Sequence, residues 1–361
     1  MKVLVATPLY PPDIGGPATY AKILLEELPG KGIEVEVVKF SDVRHLLKGV
    51  RHLVYFLRIW RALRNADVIL ALDPVSVGLP ACMAARVTRK PLVVKIVGDY
   101  AWEQGQQRFG VTQTLDEFLK NTRVSFPVHA LRRIEYEVAT YAKHLIVPSE
   151  YLKKVVQQWG ISENKIEVIY NAVPTEEKGH VPPAVAKLPR PLVVTAGRLV
   201  PWKNIDGIID AVANTTGVSL AVLGEGPDRT ALVRRAEEKL PERAVFTGPL
   251  AHSDMLATLQ SADVFILNSS YEGLSHLLIE AQALGIPTIA TNVGGNSEVI
   301  TNGEDGLLLS PGDTLALTHA LVNLLGDAPL RARLSLGARA SAKRFSSETM
   351  IQATADILGK I

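Results

Sequence analysis

Two glutamates, Glu272 and Glu280, stand eight positions apart in NSSYEGLSHLLIEAQALGIPTIATNVGG (268–295). An apolar run, DVFILN (263–268), precedes them, and a helical pattern starts near Leu274–Ser275 and continues to about Ala283. Glu272 therefore belongs to the loop before the helix and Glu280 to the helix itself. Amides of Leu274, Ser275, His276 and Leu277 would lie at the helix N-terminus, where unpaired N–H groups and the helix dipole suit diphosphate oxygens. A carboxylate is repelled by phosphate, so the two glutamates suit hydroxyls on either side of it. Glu280 could accept from a ribose and Glu272 from a sugar at the other end. On spacing alone, a capping glutamate and a plain helix-face glutamate remain a second reading.

Two further loops could handle anions. In VVTAGRLVPWKNIDGIIDAV an apolar run leads into Gly197, Arg198 and, five positions on, Lys203. A guanidinium fork and an ammonium at the mouth of a strand can neutralise a diphosphate, although two solvated surface cations would read the same way. In TPLYPPDIGGPATYAKILLEEL the pair Gly15–Gly16 precedes Pro17 at a helix start. Such glycines let backbone amides approach a phosphate, and a plain turn between strand and helix also accommodates them. The pattern is not G-x-G-x-x-G, which argues against a dinucleotide site.

The elements that must position these loops are legible as alternating runs. KVLVAT (2–7), EVEVVKF (34–40), DVILAL (67–72), PLVVKIV (91–97), HLIVPS (144–149) and KIEVIY (165–170) read as strands. Amphipathic segments near 17–28, 45–64, 75–87, 114–140 and 150–158 fall between them, the signature of a parallel sheet covered on both faces. The Pro-rich stretch 173–190 reads as a linker between a domain at 1–172 and one at 191–345. The second series is LVVTAG (192–197), SLAVLG (219–224), AVFTG (244–248), DVFILN, PTIATN (287–292) and GLLLS (306–310). Ligands of open α/β sheets bind beyond the carboxyl ends of strands, which is where all three loops fall.

Bulk composition agrees with this plan. A chain of 361 residues, 47% hydrophobic and 21% charged, exceeds one core and is not disordered. The single cysteine, Cys82, cannot form an internal disulfide, which fits a reducing, cytoplasmic compartment; it reads as a small buried residue in an Ala-rich helix. No apolar run reaches bilayer-spanning length, and the N-terminus reads as a strand. His45, His52, His129, His144, His180 and His252 show no ligand spacing, so no metal site is expected. The net charge of +2 divides unevenly, +6 up to residue 170 and −4 beyond it.

Taken together and in order, Gly15–Gly16, the GR pair with Lys203 five residues on, Glu272-x7-Glu280 and VGGNSEVI (293–300) resemble the family 4 glycosyltransferases. These are retaining enzymes of the GT-B fold: two Rossmann-like, doubly wound α/β domains facing a cleft. The resemblance covers nearly the whole chain and is strongest from about 192 to 310. It implies a UDP- or GDP-linked hexose, mannose or glucose, as donor and a cell-envelope glycan or glycolipid as acceptor, with no cofactor or metal. By the same resemblance, Gly15 and Gly16 face donor phosphate and Arg198 and Lys203 stabilise the departing diphosphate. Glu272 binds the transferred sugar, and Glu280 holds the ribose. Gly197, Ser275, His276 and Leu277 line the phosphates, while Gly224 and Thr247–Leu250 surround the base. The C-terminal helix at 346–361 packs back on the first domain. Family members often carry a histidine after the fourth strand, but VVKIVGDYAWE has none there; Asp99 is the candidate near the reacting sugar, or else a loop cap. Trp102 and Glu103 are candidates for the acceptor side.

Segment 41–67 carries Arg44, Lys48, Arg51, Arg58, Arg61 and Arg64 among Leu, Val, Phe and Trp. It reads as a helix with a solvated basic face or as a peripheral contact with an anionic membrane. No aromatic stacking platform accompanies the charge, which disfavours nucleic acid. A GT-B sugar-nucleotide epimerase and a non-catalytic sugar-nucleotide-binding subunit are the alternatives.

Overall fold

The computed structural model describes residues 1–11, 13, 15–121, 123–172 and 178–361, and the Lys48 side chain is left aside. The chain divides into two compact units, 1–174 together with 347–361, and 175–346.

The first unit holds strands β1 (Lys2–Thr7), β2 (Glu34–Lys39), β3 (Val68–Ala71), β4 (Leu92–Lys95), β5 (His144–Val147) and β6 (Ile166–Val168). They form one parallel sheet in the order β2-β1-β3-β4-β5-β6. Its helices are α1 (Gly16–Glu27), α2 (Lys48–Ala62), α3 (Gly78–Thr88), α4 (Tyr100–Arg108), α5 (Leu115–Lys120), α6 (Phe126–Tyr141) and α7 (Glu150–Gln158). The segment expected as one amphipathic run over 114–140 is two helices. Pro127 fits only in the first turn of α6, because its ring and missing N–H cannot be accommodated in a helix interior. Helix α4 was not anticipated; its Gln-rich sequence has little apolar periodicity, and Asp99 caps it.

The second unit repeats the plan with β7 (Leu192–Ala196), β8 (Ser219–Leu223), β9 (Ala244–Gly248), β10 (Val264–Leu267), β11 (Thr288–Thr291) and β12 (Leu307–Leu309). The order is β12-β11-β10-β7-β8-β9, again parallel. Helices α8 (Pro183–Ala186), α9 (Ile205–Ala213), α10 (Arg229–Lys239) and α11 (His252–Gln260) are followed by α12 (His276–Leu284), α13 (Asn296–Val299), α14 (Thr314–Gly326) and α15 (Ala328–Ala342). A last helix, α16 (Ser347–Gly359), belongs to the first unit, where Met350, Ile351, Ile357 and Leu358 join the core of β1, β3 and α1. Residues 173–177 of the expected linker lie outside the described residues. The rest of it is attached to the second unit, with His180 N–H donating to Asp254 at 2.8 Å and Val185 buried.

The inner strands β3, β4, β7, β8, β10 and β11 are buried along their whole length and nearly all apolar, whereas the edge strand β2 carries Glu34, Glu36 and Lys39 and has no buried residue. In the second unit the chain runs from β7 outward to β9 and then returns to pair β10 on the other side of β7. The loops after β7 and β10 thus flank the switch point, where such sheets open a crevice for ligands.

Candidate functional site

Close approach of backbones shapes the floor beyond β7, β8 and β9. Gly197 N–H donates to Leu223 C=O at 2.9 Å, and Gly224 N–H to Gly248 C=O at 3.0 Å. Gly224 has φ +131°, and a Cβ there would lie 2.0 Å from the Gly197 carbonyl oxygen, so no side chain fits.

The loops after β7 and β10 are stitched to each other. Ser270 N–H donates to Trp202 C=O at 2.7 Å, and Asn268 Nδ2 donates to Asn204 C=O at 3.1 Å. Lys203 ends a short 3-10 turn, Pro201–Lys203, and its Nζ lies 2.5 Å from Glu272 Oε1. The same oxygen accepts from Ser269 Oγ at 2.6 Å, and Ser269 is in turn held through its carbonyl by Thr291 Oγ1 at 2.5 Å. Glu272 is buried, Lys203 half-buried and Arg198 exposed. The pair Gly294–Gly295 completes the loop. Gly295 N–H donates to Glu272 C=O at 3.1 Å, and a Cβ on Gly295 would stand 2.4 Å from the Gly273 carbonyl oxygen.

Ser275 caps α12, its hydroxyl accepting from Leu278 N–H at 3.3 Å. The helix N-terminus therefore opens at His276 and Leu277, in the first turn of α12. Glu280 sits four residues on, about 6 Å along the axis. Its side chain is buried, with Oε1 2.8 Å from His252 Nε2 at the start of α11. Glu280 Oε2 is buried too and has no partner among the described residues.

Gly197, Gly224, Arg198, Lys203, Glu272, Ser275, His276, Leu277 and Glu280 all belong to the second unit, on the loops beyond β7, β8 and β10 and on α12. Gly15, Gly16 and Asp99 belong to the first unit. Gly15, at φ +146°, precedes α1, and its carbonyl caps that helix by accepting from Ala18 N–H at 2.9 Å. Asp99 stands as the cap of α4. Oδ1 accepts from Trp102 N–H at 2.8 Å and Oδ2 from Trp159 Nε1 at 3.1 Å, so both oxygens of this buried carboxylate are engaged. Trp102, a candidate for the acceptor side, is instead a core anchor whose Nε1 donates to Gln113 C=O at 2.9 Å.

Three functional-looking residues escaped the sequence reading. His252 gave no signal because its partner is 28 residues away. Glu135, on α6, is buried and accepts from Tyr100 N–H at 2.7 Å; burial, then the neighbouring Asp99 charge, pushes its carboxyl well above the usual range. Lys95 is buried at the end of β4, 3.8 Å from the Tyr20 ring centroid, and burial pulls its ammonium down to about 7. Among the described residues no group of three or more His, Cys, Asp or Glu side chains gathers to hold a metal.

A doubly wound pair of parallel-sheet units, with a cation–carboxylate pair and a helix N-terminus at the switch point of the second, defines the GT-B class of glycosyltransferases. The family described as Glycosyltransferase Family 4 matches residues 14–177, and that described as Glycosyl transferases group 1 matches residues 177–341. The chain belongs to the group 1 glycosyltransferases of family 4 type.

The lipopolysaccharide core biosynthesis glycosyltransferase LpsD of Rhizobium meliloti is 35% identical over 54% of this chain and 57% of its own length. The glycogen synthase of Mycobacterium tuberculosis is 29% identical over 83% of this chain and 69% of its own. The chain thus spans little more than half the length of LpsD, and 49% of the related LpsE. Among solved structures, Anabaena HepE in complex with UDP-glucose superposes over 100% of both chains with a TM-score of 0.78 at 20% identity, a likeness of fold.

Proposed function

We propose that the protein is a retaining hexosyltransferase that binds a nucleoside diphosphate sugar in its second unit. The observation that carries this reading is the placement of Glu272 and Glu280 on either side of the α12 N-terminus, each with Oε1 held by protein donors. The helix amides and Arg198 take the diphosphate. Lys203 joins them, because an ammonium has three donors and Glu272 occupies one. Glu272 accepts from hydroxyls of the sugar and Glu280 from the ribose. The bond from the anomeric carbon to the diphosphate breaks, the bond to the acceptor oxygen forms on the same face, and the acceptor's proton passes to a diphosphate oxygen. Charge neutralisation by Arg198, Lys203 and the helix N-terminus replaces a metal. Glucose or mannose, carried by UDP or GDP, is supported by relatives described as glycogen synthase and as a GDP-mannose-dependent mannosyltransferase. A glycan or glycolipid of the envelope is the acceptor, since other relatives are described as lipopolysaccharide core enzymes. Asp99 is assigned to capping. Incubation with UDP- and GDP-hexoses tests this: one donor should be slowly hydrolysed with the anomeric configuration retained, and Glu272→Ala should abolish that. Absence of hydrolysis and of transfer with every donor would remove the reading.

Peripheral contact with a membrane at the cytoplasmic side belongs to the same proposal, and the geometry of α2 favours it. Tyr55, Ile59 and Leu63 face inward, while Leu47, Val50 and Leu53 are 80%, 47% and 60% exposed. The outward face thus carries apolar side chains in its first half as well as the exposed Arg58 and Arg61. Arg51, Arg58 and Arg61 belong to the same helix, with Arg58 paired to Asp42 at 3.4 Å and Arg64 stacked 4.3 Å from the Trp60 ring centroid, and α2 itself contains no acidic residue. This is the chemistry of an interfacial helix on anionic lipid. Among the described residues no helix is long and apolar enough to cross a membrane. Leu53→Glu should weaken co-sedimentation with phosphatidylglycerol vesicles at least about tenfold, the equivalent of withdrawing one leucine from an apolar environment. Unchanged sedimentation of the variant, or no binding by the parent protein, would sink the contact.

A further inference from the structure

Glu280 is a carboxylate in an unusual state. Its side chain is 5% exposed, one oxygen is held by His252 at 2.8 Å, and the other is buried with no donor among the described residues. Buried acceptors are nearly always satisfied, so an orphaned carboxylate oxygen about one turn into α12 marks a place where a ligand's donor belongs. His252 fixes which oxygen that is. An ionised carboxylate only accepts, so the hydrogen of this contact resides on Nε2 of the imidazole. The imidazole sits at the start of α11, which packs against α12, and is 29% exposed, so it reaches Glu280 from the site's edge rather than from the core. With Oε1 tied down, the carboxylate plane is set and Oε2 is presented in a single direction. The distance is also suitable: Glu280 stands about one helical turn, roughly 6 Å, beyond the amides expected to take the diphosphate. That is the reach from a nucleotide's α-phosphate to its ribose hydroxyls.

We infer that His252 is a specificity-determining positioning residue: by holding Glu280 Oε1 it leaves Oε2 to read a ribose hydroxyl, so that the site prefers ribonucleoside over deoxyribonucleoside diphosphates. The inference rests on the donor-binding reading above and assigns His252 no contact with the reacting atoms. The contribution should be large because a hydroxyl bonded to a charged, buried acceptor is among the stronger hydrogen bonds, and because the deoxy ligand leaves that acceptor orphaned. A ribose preference of about tenfold or more is expected.

The test is calorimetric titration of the full chain with UDP and GDP and with their 2′-deoxy and 3′-deoxy counterparts. The ligands are titrated into the parent protein and into His252→Phe, His252→Ala and His252→Gln, with thermal melts to confirm folding. The parent protein should prefer one ribonucleotide over at least one of its deoxy forms about tenfold or more. In His252→Phe and His252→Ala that preference should fall to within about threefold, chiefly through weaker binding of the ribonucleotide. His252→Gln, which keeps an amide donor, should recover part of it. If the Phe variant fails to fold, the exposed edge position makes Ala the deciding variant. A folded His252→Ala protein that retains the full ribose preference would overturn the inference and leave His252 as a structural partner of Glu280. Equal binding of ribo and deoxy forms by the parent would overturn it while nucleotide binding stands. No binding of any nucleotide would instead remove the donor reading on which it rests.

Discussion

Replacing Lys203 by methionine probes the charge pair at the centre of the site. At 2.5 Å and an effective dielectric near 20, the attraction between Lys203 Nζ and Glu272 Oε1 is about 7 kcal/mol, most of it offset by removing both groups from water. Fully buried pairs lose roughly 3–5 kcal/mol when one partner is removed. The side chains here are 14% and 10% exposed and Ser269 still donates to Glu272, so a loss of about 2–4 kcal/mol is expected for Lys203→Met. Glu272→Leu alone should cost a similar amount by stranding the ammonium. The double variant should lose far less than the sum, giving a coupling of about 2 kcal/mol. Urea unfolding followed by fluorescence measures this, Trp202 being the tryptophan of the second unit. Nucleotide-sugar titration of the same proteins should show weakened binding in all three. A coupling below about 0.5 kcal/mol, the range of exposed surface pairs, would show that solvent screens the two charges and that the pair does not organise the site.

Two further outcomes follow from backbone contact and from burial. Gly224→Ala should destabilise the second unit by roughly 3–5 kcal/mol, because both the positive φ and the Gly197 carbonyl oppose a Cβ; a thermal midpoint within about 1 °C of the parent would refute the close approach. Lys95→Met should stabilise the protein at neutral pH. The buried amine has a folded value of about 7 against 10.5 when unfolded, so below pH 7 both states are charged and the folded one carries the full burial cost. Between those values the unfolded chain binds the proton that the folded chain releases, so the parent gains stability as pH rises. The advantage of the methionine variant, at most roughly 5 kcal/mol near pH 7, should therefore shrink toward zero by about pH 10 in urea unfolding, and a pH-independent difference would contradict it.

The strands were readable because parallel strands buried on two faces are continuous apolar runs: LVVTAG and DVFILN appear as β7 and β10 with ends trimmed by a residue or two. The glutamate spacing likewise carried over, since α12 begins at His276 with Ser275 as its cap, one residue beyond the expected start near Leu274–Ser275. Contacts across elements were hidden. Nothing in the sequence ties His252 to Glu280, Lys203 to the same glutamate oxygen as Ser269, or Glu135 to the α4 cap, because each depends on helix placement around the sheet. The break between α5 and α6 was available in Pro127 but was obscured by the apolar periodicity on either side. Asp99 illustrates a different difficulty: a carboxylate just beyond a strand end looks the same in sequence whether it faces a ligand or caps the next helix.

Hydrogen–deuterium exchange with and without UDP-glucose and GDP-mannose tests the central claim most directly. Binding of either should slow exchange at the amides of 274–280 and along 197–204, with no comparable change across β11, β12 and α14. Lys203→Met should lose that protection. Saturating donor that leaves the start of α12 unprotected, or that protects only segments remote from β7 and β10, would contradict the assignment of this helix N-terminus and its two glutamates as the donor site.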